Sequence, residues 1–153
     1  MPRIHVAASR EIGAPPETIY RLLADYRAGH PRILPPEHFL ALEVEEGGVG
    51  AGTVARTVVR AGGRTQRFHL RVSEPEPGRV LQEQDTESNL VTRFTVTPLR
   101  EGRASRVEIA TDLDTAPGLR GQIEARLTPL VLRGVYRKEL RRLHAIVAPA
   151  QQF

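Results

Sequence analysis

The sequence predicts an α+β domain: a strand and a short helix, then an antiparallel meander, then one long C-terminal helix. Three observations predict it. Residues 9–26 run from a strand into a Gly13-Ala14-Pro15-Pro16 corner and leave it as an amphipathic helix. Short segments of strand character follow at hairpin spacing, divided by turn signals. The last stretch, 118–148, then repeats apolar residues at helical spacing.

The first strand spans 4–12. Proline suits a first helical turn, because its missing N–H would have no partner there. Ile19, Leu22 and Leu23 then recur at helical spacing, so a helix is expected over 15–26. Residues 27–37 are proline-rich and leave room for only a short helix or a loop. Strands are expected at about 39–46, 52–61, 64–74, 79–85, 90–98 and 104–113, about seven with the first. In the closing helix Leu119, Ile123, Leu127, Leu130, Val131, Val135, Leu140, Leu143 and Val147 keep one face apolar, and Pro129 bends it.

Turn signals set the register. Gly62-Gly63 is a two-residue hairpin signal, so Ala61 opposes Arg64, Thr57 opposes Phe68, Ala55 opposes Leu70 and Thr53 opposes Val72. That face is apolar to neutral, while Arg56, Arg60, Arg67, His69 and Arg71 lie on the other. A slip of one residue would bury the arginines. Loops at 86–89 and 100–103 pair Leu81 with Phe94 and Glu83 with Thr92. They also pair Phe94 with Ile109, Val96 with Val107 and Thr92 with Thr111. Glu83, Thr92 and Thr111 therefore interrupt an otherwise apolar inner face, where a carboxylate needs partners or water.

The whole chain, 1–153, is the size of a single domain and carries a net charge of +4, with 40% hydrophobic and 26% charged residues. Folding a chain of this length buries roughly 70% of its surface, enough for a core and a cavity. Without cysteine there are no disulfides, no thiol catalysis and no cysteine-bound metal. No run of about 18 apolar residues is present, so no membrane span is expected. With no signal-peptide pattern at the N-terminus either, a cytoplasmic location is expected. Lys138 is the only lysine among 22 basic residues. Arg133, Arg137, Lys138, Arg141 and Arg142 on the last helix could attract anions. No aromatic residues alternate with them as a single-strand platform requires, which argues against nucleic-acid binding.

The strand, Ala-Pro-Pro corner, helix, meander and long terminal helix, in this order, carry a family resemblance. The local matches are Ile12-Gly13-Ala14-Pro15-Pro16-Glu17-Thr18-Ile19-Tyr20, Leu23-Ala24-Asp25-Tyr26, Gly50-Ala51-Gly52-Thr53, Val72-Ser73-Glu74-Pro75 and Gly78-Arg79-Val80-Leu81. The chain resembles the START-like superfamily, also called SRPBCC or the polyketide cyclase/dehydrase and lipid-transport group. The resemblance covers nearly the whole chain. It implies a helix-grip fold: a curved antiparallel sheet of about seven strands wrapped around the long C-terminal helix, with a cavity between them. It also implies a small hydrophobic ligand. It carries over no catalytic residue, because the superfamily has none in common.

Candidate site residues come from the register and this architecture. Glu83 is the carboxylate that points inward. It either orients a polar ligand group or acts as a base, or else forms a structural ion pair with Arg10, whose parity also points inward. Asp85 shares that parity but lies nearer the strand end, where exposure is expected. His30, just after the first helix, either borders the cavity as an acid or base or caps local backbone. The expected ligand-binding set is Tyr26, His30, Phe68, Glu83, Thr92, Phe94, Ile109, Thr111, Leu127 and Val131. Tyr136 and Phe39 are further candidates for core or cavity. Glu74 and Glu76 look like solvated loop. No histidine spacing indicates a metal, and no phosphate loop or cofactor motif is present. Three functions remain open: a hydrophobic-ligand carrier, a cyclase- or aromatase-like enzyme with Glu83 and His30 as catalytic candidates, and a protein acting through its basic surface. Oligomeric state is left open.

Overall fold

A computed structural model of the chain describes residues 3–114 and 118–148, and in the last helix the side chains from 128 onward. Seven strands form one sheet: β1 (Arg3–Ile12), β2 (Phe39–Glu46), β3 (Val54–Ala61), β4 (Arg64–Glu76), β5 (Val80–Asp85), β6 (Val91–Leu99) and β7 (Ala104–Asp114). A short helix α1 (Pro16–Ala24) follows β1, and the long helix α2 (Leu119–Val147) closes the chain. The strand order is β1-β7-β6-β5-β4-β3-β2, antiparallel throughout. The meander thus runs outward from β7 to β2, and β1 covers the free edge of β7.

The corner works as the sequence implies. Pro15 lies just outside α1 in extended conformation, φ −62° and ψ 147°. A residue preceding proline is driven there by the next ring. Pro16 starts the helix, one residue later than expected. The helix ends at Ala24, before Tyr26, because Asp25 leaves helical geometry and bridges to Val49. The Asp25 carbonyl then accepts the N–H groups of Gly29 and His30, and its carboxylate accepts those of Arg27 and Ala28. This turn leads into a single 3-10 turn at His30–Ile33.

The registers agree with the turn chemistry. Ala61 opposes Arg64 across Gly62 and Gly63, whose φ angles of 58° and 75° suit a residue without Cβ. Leu81 faces Phe94, Glu83 faces Thr92, Thr92 faces Thr111, and Phe94 faces Ile109. Arg56, Arg60, Arg67 and Arg71 stand exposed on the outer face.

The core lies where α1 and the C-terminal half of α2 meet β1, β6 and β7. Ile12, Ile19, Leu23, Val96, Val107, Leu140 and Leu143 are almost wholly buried there. Each fully buried aliphatic side chain contributes about 1.5–3 kcal/mol. No helix among the described residues is long and apolar enough to cross a membrane.

Three expectations are corrected. Asp85 is buried rather than exposed, accepting from the His69 N–H and the Ser88 hydroxyl. A short carboxylate at a strand end can gather the donors of the following loop. Glu74 is half-buried in β4 and accepts from the Tyr20 hydroxyl at 2.7 Å and the Ala51 N–H at 2.8 Å, so it ties α1 to the turn before β3. Leu130, placed on the apolar face by periodicity, is 66% exposed.

Candidate functional site

A cavity of about 130 Å³ opens between the sheet and α2. Its deep end is formed by Tyr26, His30, Glu83, Thr92, Phe94, Val135, Tyr136 and Glu139, all buried. Its rim, with Val59, Ala61 and Gln66 near the β3–β4 turn, is half-buried to exposed. Apolar walls come from Phe39, Leu42, Phe68, Leu70 and Leu132.

The deep end holds a connected polar cluster. Glu83 points inward because its strand parity does, and its Oε2 accepts from the Tyr26 hydroxyl at 2.6 Å. Burial, then the charge of Glu83, pushes the Tyr26 phenol well above its ordinary pKa, so it stays a donor. The turn built on Asp25 swings His30 under α1, where its Nδ1 lies 2.8 Å from the Leu23 carbonyl. A carbonyl oxygen only accepts, so Nδ1 carries the proton. Nε2 is thereby left facing Glu83 Oε2 at 3.7 Å, beyond hydrogen-bond distance, and the two attract only when the ring carries a second proton. Stacking on Tyr26 at 4.4 Å and an edge contact with Phe94 at 5.1 Å fix the ring. His30 therefore both caps local backbone and faces the cavity.

A second polar chain lies beside the first. Thr92 Oγ1 and Thr111 Oγ1 are 2.7 Å apart, and Thr111 also hydrogen-bonds the Tyr136 hydroxyl. Burial pushes the Tyr136 phenol above its ordinary range. Glu139 completes the deep end from α2. It is 2% exposed, and burial followed by the nearby charge of Glu83 pushes its pKa well above the usual carboxylate range.

Of the residues singled out from the sequence, Tyr26, His30, Phe68, Glu83, Thr92 and Phe94 line the cavity. Thr111 sits one hydrogen bond behind the wall. Ile109 lies in the core, 1% exposed, because β7 passes under the closely packed part of α2. Val131 is half-buried beside Gly62, at the turn that forms the rim. The side chain of Leu127 lies outside the described residues. Glu83 meets Tyr26 and His30 rather than Arg10. Glu139 was missed, as were the apolar walls Leu42, Leu70 and Leu132. Helical spacing would have shown Glu139, which falls four residues after Val135 and four before Leu143.

A seven-stranded antiparallel sheet gripping a long helix around a largely apolar cavity defines a helix-grip domain of the START-like class. The chain belongs to the polyketide cyclase / dehydrase and lipid transport family, whose sequence pattern matches residues 3–148. An NMR structure of the KanY protein is similar over 96% of this chain and 99% of that one, with 30% identity and a TM-score of 0.82. The ZhuI aromatase/cyclase from Streptomyces sp. R1128 shares the fold at 18% identity and a TM-score of 0.75, over 95% of this chain and 94% of that one. A START superfamily protein from Mycobacterium smegmatis does so at 18% identity and a TM-score of 0.69, over 94% and 96%. No protein of curated function matches the sequence.

Proposed function

We propose that this protein binds a small hydrophobic molecule between the sheet and α2, with the polar deep end orienting an oxygen or nitrogen of that ligand. The observation that carries this reading is a cavity with apolar walls and one convergent polar cluster, Tyr26–Glu83–His30. Ligand sites commonly combine apolar walls for affinity with a few fixed polar groups for orientation. A cavity of about 150 Å³ lined by apolar side chains can hold benzene, so one aromatic ring suits the space here, with further rings directed toward the rim. Native mass spectrometry of protein purified from its own source, with extracts of the same cells as reference, tests the reading. A co-purifying hydrophobic molecule is expected. Its absence, together with no binder in a broad thermal-shift screen, would overturn the proposal.

A second reading, a cyclase- or aromatase-like enzyme using the same cavity, is favoured by one observation. His30 presents Nε2, its proton-free nitrogen in the neutral ring, on the side where Glu83 lies. A histidine held in one tautomer beside a carboxylate suits proton abstraction from a carbon next to a ketone. Turnover of a linear poly-β-ketone model compound by the wild type but not by His30→Gln would support it. Equal product yield with and without protein would exclude it for that substrate class.

A further inference from the structure

We propose that the cavity takes an uncharged aromatic ketone or phenol, its oxygen hydrogen-bonded by Glu139, and turns away the corresponding carboxylate. This rests on the ligand-binding reading above and adds the chemistry of the ligand's polar group. Helical spacing places Leu132, Val135, Tyr136 and Glu139 on one face of α2, and all four line the cavity. Among the described residues Glu139 is the only acid on that face, and its carboxyl has no hydrogen-bond partner among them. The two tyrosine hydroxyls beside it each have a partner. Tyr26 donates to Glu83, and Tyr136 is bonded to Thr111.

Burial beside the charge of Glu83, with no lysine or arginine among the described lining residues, favours the protonated form of Glu139. The O–H of Glu139 is therefore a donor with no acceptor among the described residues, on the wall of the cavity where a ligand would sit. A ring ketone or phenol oxygen supplies that acceptor. A carboxylate does not fit in the same way. The described lining residues include Glu83 and Glu139 but no lysine or arginine. A ligand anion would lose its hydration beside the negative charge of Glu83, and the described lining offers no lysine or arginine to offset that loss.

Three matched single-ring probes, acetophenone, ethylbenzene and benzoate, test this by methyl NMR titration at about pH 7.5, where benzoate is ionised. Acetophenone is expected to bind about tenfold more tightly than benzoate, moving the methyl signals of Leu42, Leu70 and Val135. Glu139→Leu, close in shape, should lower acetophenone affinity about tenfold and leave ethylbenzene unchanged. Glu139→Gln, which keeps an N–H donor, should stay within about threefold of the wild type. Benzoate binding as tightly as acetophenone overturns the proposal while the ligand-binding reading stands. So does an unchanged acetophenone affinity in Glu139→Leu. If none of the three probes moves those methyls, the ligand-binding reading itself fails, and the proposal with it. If Glu139→Leu does not fold, the wild-type ranking of acetophenone over benzoate decides alone.

Discussion

The two halves of the sheet meet the long helix differently. Under β1, β6 and β7 the contact is closed: Val96, Val107, Leu140 and Leu143 are at most 2% exposed. Under β2, β3 and β4 it is open: Phe39, Leu42 and Phe68 stay half-buried, and the gap is the cavity. The helix packs mainly on β1 and only lightly on β3. One helix thus serves two purposes along its length. Its C-terminal part fills a core, while Leu132, Val135, Tyr136 and Glu139 present a mixed apolar and polar face to the cavity. Close packing and the cavity are thus separated within one sheet, so substitutions in the two halves should behave differently.

The largest expected contrast is in packing. Leu140→Ala should cost about 2–5 kcal/mol in urea unfolding, because it opens a void in a closed core. Leu42→Ala, beside a cavity already present, should cost less than about 1.5 kcal/mol. Equal costs would break the division. Next comes the polar cluster: Tyr26→Phe removes the hydroxyl that donates to Glu83 and should cost about 1–3 kcal/mol. No loss of stability would mean that water satisfies Glu83 equally well.

A pH-dependent effect follows from Glu139, whose pKa is raised in the fold above its ordinary value of 4.5. Below that value both the folded and the unfolded chain keep the proton. Above it the unfolded chain ionises first, so this residue's contribution falls as pH rises toward the folded pKa. The slope is at most about 1.4 kcal/mol per pH unit. Glu139→Gln should remove the slope, so its stability relative to the wild type should rise as pH increases above the ordinary value of 4.5. A constant difference would place the Glu139 carboxyl in water. The smallest effect is expected on the outer face, where Arg67→Ala should change stability by no more than about 0.5 kcal/mol.

The hairpins were legible from local chemistry. Gly62-Gly63 sets one register, and period-two alternation then turns Glu83, Thr92 and Thr111 inward. Glu139 was harder to see. It stands between Lys138 and Arg141 in a run of charges that looks like a solvated helix face, yet its spacing to Val135 and Leu143 puts it on the buried stripe. Ile109 and Leu130 failed for the opposite reason. Periodicity says which face a side chain is on, but the packing of α2 decides whether that face meets core, cavity or solvent. The burial of Asp85 and Glu74 depends on loop and turn donors brought in from distant sequence, which no local pattern shows.

The most direct test of the central claim is a nuclear Overhauser measurement on the acetophenone complex. Ring protons of the bound probe should show contacts to the methyls of Leu42, Leu70 and Val135, and none to Leu81 or Val107. Contacts only to the exposed methyls of Leu40, Val49 or Leu130, or shifts that do not saturate, would contradict a ligand site between the sheet and α2.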